Sequence, residues 1–331
     1  VNRLDAAHTL LPKTWGPTKA AATAFAPVNI ALVKYWGKRN EELHLPVTDS
    51  FSVALTAGST TTVCQASKKD TVFLNGQCVD ESSSFFKRAS EFCNLVRPSP
   101  SFFFHISTIN DVPTAAGLAS SASGFAALTL ACNDFFGWNA PKEKLSCLAR
   151  LGSGSACRSI FPGFVTWQRG EAIDGADSYA LPWNKWWPDL QFGVFLLSTH
   201  EKPISSRKAM RTTVETSPLY AAWPSQVQKD IQEVRAAISE QDIERFGTTV
   251  ERNALTMHAT MLTSSPPICF WLPQTVSCLH EIWEARRHGV PIYCTIDAGP
   301  NVKVFFPQSS AESIQKLFPN LHRIQLLSPI E

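Results

Sequence analysis

Several things are scarce in this 331-residue chain, and each scarcity closes a class of function. Charge of one sign is the first: the formal net charge is +2, and only 18% of residues are charged. No field of that size draws in nucleic acid or an acidic membrane surface. Paired cysteines are missing too. The nine cysteines are odd in number and never fall as CxxC, against both a disulfide framework and a structural zinc site. Reduced thiols in a cytoplasmic protein are the expectation. No apolar run approaches a membrane span; Phe102 to Phe104 and Phe192 to Leu197 are strand-sized. The stretch through Lys19 has no continuous apolar signal-peptide core and reads as a loose leader or a first extended segment. No histidine pairs with another at i+3 or i+4, and GxSxG, GxxxxGK[ST] and dinucleotide fingerprints are all absent.

What is present is an ordinary globular composition, 44% apolar, long enough for one large domain or two modest ones. From Thr23 to about Phe104 the pattern predicts mainly short strands, with Asn75-Gly76 as a hairpin turn and a helix over Ser82 to Val96. Phe102 to Ile109 is a strand, followed by a helix bearing Phe125, Leu128, Cys132 and Phe135 and stopped at Gly137. Lys142 to Leu151 is a further helix, and Phe164 to Gln168 and Phe192 to Ser198 are strands. Three amphipathic helices follow, marked by Val227 to Ile238, Ile243 to Met261 and Val276 to Trp283. Strands at Ile292 to Ile296 and Val302 to Phe306 flank the turn Asp297 to Asn301. The mixture indicates an α+β fold divided near residues 185–200. Arg286-Arg287 reads as a solvated helix end, and His105 and His258 as packing or capping residues.

Pro113 to Gly124, PTAAGLASSASG, joins a strand to a helix start. Gly117 lets the backbone approach an anion, and Ser120, Ser121 and Ser123 add hydroxyls where first-turn amides favour phosphate. Arg158 offers a planar fork for carboxylate or diphosphate. On residue types alone a serine-rich helix cap, a Gly/Ser linker with a surface arginine and an Asx turn at Asp297 all remain open.

Pro113 to Ser123 resembles the PxxxGLxSSA motif of the GHMP small-molecule kinases. Three more segments narrow the likeness. Ala26 to Lys38, ending KYWGK, Gly152 to Ser159, GSGSACRS, and Asp297-Ala-Gly-Pro-Asn301 resemble motifs of the mevalonate diphosphate decarboxylase family, in that family's order, over about residues 23 to 306. Phe161-Pro162-Gly163 departs from the family's double glycine, and no motif lies beyond Phe306.

The resemblance implies the GHMP kinase fold: a ribosomal-protein-S5-like, nucleotide-binding part over 20–190 and a ferredoxin-like part over 191–331, around a deep cleft. It implies ATP-dependent decarboxylation of (R)-5-diphosphomevalonate, with Mg²⁺ beside ATP, in a cytoplasmic homodimer acting on a small molecule. Family positions put Asp297, Lys34, Arg158 and Asn29 in catalysis, with Asp297 orienting or deprotonating the tertiary hydroxyl. Tyr35, Lys38, Ser153, Ser155 and Arg158 fall at substrate-binding positions. Asn110, Pro113, Gly117, Leu118, Ala119, Ser120, Ser121, Ser123, Ser205 and Ser206 fall at ATP-binding positions, with Ser121 a candidate Mg²⁺ contact and Lys202 and Arg207 close by in sequence. The alternatives are a mevalonate 3-kinase, a phosphomevalonate decarboxylase and a non-catalytic GHMP-fold binding protein.

Overall fold

Two strands far longer than the sequence pattern suggests organise the molecule. In the computed structural model, which describes residues 1–111, 120–200 and 202–329, β1 (Ala21–Val33) and β4 (Ser50–Ala66) run antiparallel for most of their length. The hairpin of β2 (Lys38–Asn40) and β3 (Leu45–Pro46) lies between them in sequence. On its other edge β4 pairs first with β8 (Phe164–Trp167) and then with β7 (Phe103–Asn110), so the two strands follow one another along a single neighbour. β5 (Thr71–Leu74), β6 (Gln77–Cys78) and β9 (Ala180–Pro182) complete the sheet, in the order β6-β5-β7-β4-β8-β9 with β1 on β4. Asn75 and Gly76 turn β5 into β6 at positive φ, as the Asn-Gly signal predicts.

Both long strands change faces midway. Ala22 and Ala26 of β1 pack in one core cluster, whereas Val28, Ile30 and Leu32, of the same parity, pack in another. β4 does the same, with Val63 in the first cluster and Phe51, Val53 and Leu55 in the second. The cause is a register shift between Pro27 and Asn29, which breaks the alternation of side chains. It turns Asn29 toward the helical face of the sheet.

Four helices cover that face: α1 (Arg3–Leu10), α2 (Ser84–Val96), α3 (Ser120–Phe136) and α4 (Lys142–Gly152). α1 stands where a loose or extended leader was expected. Asn2 caps it by accepting from the Asp5 amide, and Ala6 and Ala7 are buried. Two small buried residues leave no apolar stripe to read. Directly after α4, Gly154–Ile160 forms a 3-10 helix where a Gly/Ser loop was expected.

The second sheet has the order β11-β12-β10-β13, from β10 (Leu190–Phe195), β11 (Tyr293–Ile296), β12 (Val302–Pro307) and β13 (His322–Ile324). α5 (Ser206–Thr216), α6 (Trp223–Glu240), α7 (Ile243–Leu262), α8 (Pro273–Arg287) and α9 (Ala311–Leu317) accompany it. The tail beyond Phe306, featureless as sequence, supplies α9 and β13, and Leu326 bridges back to Leu55 in β4. The second core cluster joins the sheets: Val28, Ile30, Phe51 and Val53 meet Phe192, Phe246, Val250 and Phe305. A third cluster lies between β11, β12, α8 and α9, with Ile282, Val304, Phe306 and Ile314. Arg286 departs from the solvated reading: it is partly buried, pairs with Glu251 at 2.6 Å and lies over the Tyr293 ring, while Arg287 stays exposed beside Glu284.

Candidate active site

Between the sheets opens a cavity of about 790 Å³. Asp297 lies at its wall, at the point where β11 ends. Lys34 Nζ reaches Asp297 Oδ1 at 2.7 Å, and Lys303 Nζ, from β12, reaches Oδ2 at 2.9 Å. Both lysines are almost fully buried. Lys34 also donates to the Ala31 carbonyl at 2.8 Å. Burial pulls the Lys34 ammonium down to about 8, and Asp297 opposes that pull. Burial works against ionisation of Asp297, but the charges and hydrogen bonds of Lys303 and Lys34 outweigh it and hold the carboxyl well below the usual range.

The turn that carries Asp297 is tied down on both sides. Gly299 N donates to the Asp297 carbonyl at 2.7 Å. Asn301 Oδ1 accepts from Leu197 and Ser198 amides at 2.8 and 3.0 Å, and Thr275 Oγ1 donates to Pro300 O at 2.8 Å. An Asx turn alone does not need two lysines; the carboxylate is the object of the arrangement.

Across the cavity, Asn29 and Arg158 form a second unit. Arg158 Nε donates to Asn29 Oδ1 at 3.0 Å, Nη1 donates to Ser50 Oγ, and Asn29 Nδ2 donates to Ser159 Oγ at 2.6 Å. The guanidinium lies over the Trp167 ring and is only 3% exposed, yet no described carboxylate is within ion-pair distance of it. A buried cation with hydrogen bonds but no counter-ion suits an anionic ligand.

Tyr35, Ser153 and Ser155 line the same cavity. Tyr35 packs on Trp167 at 4.6 Å, and its hydroxyl is buried without a described partner. Gly154 makes room for it, since a Cβ there would meet Tyr35 Oη and Cε1 at about 3 Å. Burial pushes the Tyr35 phenol far above its ordinary value, so it acts as a neutral donor. Lys38 Nζ pairs with Glu41 at 2.8 Å at the cavity wall. Arg88 of α2 and Arg207 of α5 also line it, and neither forms an ion pair with a described carboxylate. Ser205 caps α5, accepting from Lys208 N at 3.2 Å, and Ser206 accepts from Lys202 Nζ at 3.4 Å. Six Lys or Arg side chains (Lys34, Lys38, Arg88, Arg158, Lys202 and Arg207) face the cavity against one described carboxylate, Asp297. The site is built for a polyanion.

Pro113, Gly117, Leu118 and Ala119 lie outside the described residues. Ser120 begins α3 and Ser121, one residue on, lines the cavity. Ser123 and Asn110 are not brought to it. Both turn to Ser59 Oγ at 2.7 Å, Ser123 because two residues of helix rotate it toward β4, and Asn110 because it ends β7 directly opposite Ser59. Sequence reasoning missed Lys303 and Arg88. A lysine amid Val302, Val304 and Phe305 was the available signal for the first; Arg88 sits in an unremarked helix turn.

Comparison with known proteins supplies the family. A family model described as the diphosphomevalonate decarboxylase-like N-terminal domain matches residues 26–180, and one described as the mevalonate 5-diphosphate decarboxylase C-terminal domain matches residues 193–326. Diphosphomevalonate decarboxylase from Homo sapiens is 38% identical over 309 residues, covering 86% of this chain and 76% of its own. The Saccharomyces cerevisiae protein of that name is 36% identical over 330 residues, covering 93% and 82%. Among solved structures, the mevalonate diphosphate decarboxylase from Staphylococcus aureus superposes with a TM-score of 0.88 at 36% identity, over 94% of this chain and 98% of the other. A complex described as MDDEF with MVAPP, AMPPCP and magnesium gives 0.87 at 41% identity, over the same shares.

Proposed function

The chain belongs to the diphosphomevalonate decarboxylase family, and from that membership we propose that it converts (R)-5-diphosphomevalonate and ATP to isopentenyl diphosphate, ADP, phosphate and carbon dioxide. The observation that carries the reading is a carboxylate clamped between two buried lysines, the one described carboxylate in a cavity that six Lys or Arg side chains also line. The substrate is a β-hydroxy acid whose tertiary hydroxide is a poor leaving group. Phosphorylation makes that oxygen leave readily. The γ-phosphoryl of ATP moves to the hydroxyl oxygen and ADP departs. The bond to the carboxylate carbon then breaks, its electron pair forms the new alkene, and the C–O bond breaks with its pair going to phosphate.

The geometry supports the following division of labour. A carboxyl held well below its usual pKa is a weak base, so Asp297 acts chiefly as a fixed acceptor that aims the hydroxyl at the incoming phosphoryl group. In a loose transfer the oxygen becomes acidic only as the O–P bond forms, and its proton then passes to the Asp297 carboxylate that accepts its hydrogen bond and on to solvent. Asn29 and Arg158 hold the carboxylate that leaves as carbon dioxide. Tyr35, Lys38, Ser153, Ser155, Arg88 and Arg207 take the diphosphate, for which unpaired guanidinium groups are suited. Ser121, Ser205, Ser206 and Lys202 face the ATP phosphates, with backbone amides of the α3 start, from Ser120 on, available to oxyanions. A hydroxyl such as Ser121 fits Mg²⁺, a cation that takes few protein ligands and neutralises phosphate charge. The separate sheets support a nucleotide-binding part over 20–190 and a second part over 191–331. Nine free cysteines support a cytoplasmic home. A homodimer belongs to the same reading, and sedimentation velocity tests it.

Incubation with ATP and, separately, mevalonate, its 5-phosphate and its 5-diphosphate tests the function. ADP and carbon dioxide should appear in equal amounts with the diphosphate. Phosphorylation without carbon dioxide release would overturn the reading.

A further inference from the structure

Helix α7 touches both partners of the Lys34–Asp297 pair through side chains that no step above uses. Asn253 is fully buried; its Oδ1 accepts from the Lys34 amide at 2.8 Å, and its Nδ2 donates to Asp230 Oδ2 at 2.8 Å. Asp230 is itself buried and receives Arg252 Nη2 at 2.7 Å and Gln226 Nε2 at 2.8 Å. Five residues along the helix, His258 Nε2 lies 3.1 Å from the Asp297 carbonyl oxygen. Burial, with Lys34 adding to it, pushes the His258 ring down to about 3, so it is neutral and can donate one N–H to that oxygen. Glu251, two residues before Asn253, accepts from the Cys294 amide at 3.1 Å, in the strand that delivers Asp297. Arg286 and Trp283 complete the shell of Glu251.

These contacts matter because they hold the backbone of each partner from outside its own strand, beside the local bonds of Lys34 to Ala31 and of Asp297 to Lys303. Lys34 follows the end of β1 and a register shift between Ala31 and Val33. Asp297 stands in the turn between β11 and β12. The helix segment between Asn253 and His258 is about 1.4 turns and therefore stiff. We propose that α7 acts as a gauge, with Asn253 and His258 as positioning residues that set the separation of the Lys34 ammonium from the Asp297 carboxylate for phosphoryl transfer.

The inference rests on the decarboxylase reading, which wild-type turnover tests by itself; the comparison of variants tests the helix. His258→Gln keeps an N–H at the reach of Nε2, and His258→Leu fills the same space without one. The leucine variant should lose 10- to 100-fold in kcat with both KM values within threefold, and the glutamine variant should stay within threefold of wild type. A pH profile supplies a readout that simple loosening would not move. The charged groups facing Lys34 are Asp297, Lys303 and Arg158, and of these Asp297 alone raises its pKa. If Asp297 withdraws, the falling limb near pH 8 should move to lower pH in the leucine variant. Should that variant not fold, His258→Asn, polar but too short for the carbonyl, replaces it with the same expected loss. Equal kcat in the folded leucine and wild-type proteins, equal losses in leucine and glutamine variants, or an unmoved limb would each overturn the proposal.

Discussion

Replacing Asp297 by asparagine keeps the shape of the side chain and removes the charge that faces two buried lysines. Lys34 already sits at about 8 instead of 10.5, a penalty on folding at pH 7 of roughly 3 kcal/mol at ~1.4 kcal/mol per unit. Without the carboxylate its pKa falls further, yet the penalty cannot exceed the cost of releasing the proton, about 5 kcal/mol at pH 7. Lys34 therefore adds at most ~1.5 kcal/mol of lost stability at pH 7. Lys303 loses the same partner, so the total lies between that figure and the ~3–5 kcal/mol of a broken buried pair. The pH dependence has a definite sign. Lys34 has a folded pKa below its unfolded value, so its penalty is full below about pH 8 and fades as pH rises toward 10.5. The extra Lys34 loss in the variant thus vanishes above pH 8 and grows as pH falls toward 6. Turnover should suffer more than stability, with kcat down about 10³-fold and the KM for each substrate little changed. Coupled ADP release, trapped carbon dioxide and melting curves from pH 6 to 9 supply the data. A kcat within tenfold of wild type, or a destabilisation that does not shrink between pH 6 and 9, would refute the argument.

Three further outcomes follow from the same geometry. The wild-type rate should fall as pH rises through about 8, where Lys34 loses its proton, and Lys34→Arg should carry any residual activity past pH 9 without that limb. Tyr35→Phe should leave the melting temperature unchanged or higher, because it removes a buried hydroxyl with no described partner, while KM for the diphosphate rises about tenfold. A lower melting temperature with unchanged KM would contradict that assignment. Arg207→Gln should raise the substrate KM by about 10- to 100-fold, a charge-assisted hydrogen bond to phosphate contributing ~1.5–3 kcal/mol, and should flatten the dependence of KM on salt; unchanged KM would remove Arg207 from the diphosphate pocket.

Where one residue type dictates local geometry, the sequence is easily read. Asn75-Gly76 needs two positive φ angles, and Gly137 ends α3 for the same reason. Asp297, Lys34, Asn29 and Arg158 also converge as their motifs imply. Reading fails where the determinant is distant. The alternation of β1 and β4 is hidden because a register shift swaps their faces and both faces are covered. Lys303 looks like a misfit in an apolar strand until Asp297 is placed opposite it. Arg286 looks solvated until Glu251, 35 residues earlier, is found beneath it. Ser123 turns its hydroxyl to Ser59, a residue 64 positions earlier that the motif gives no reason to place there.

The core cluster that joins the two sheets has a consequence for how the chain could be divided. Val28, Ile30, Phe51 and Val53 are covered by residues that come after position 190. A fragment ending near residue 190 would present that strip of aliphatic and aromatic side chains bare to water, on the reverse of its cavity wall, and would associate through it. The downstream fragment would carry the matching face. Cut at its most obvious boundary, the chain yields two sticky pieces in place of two modules, and co-expression of both is the route by which a split form could reassemble.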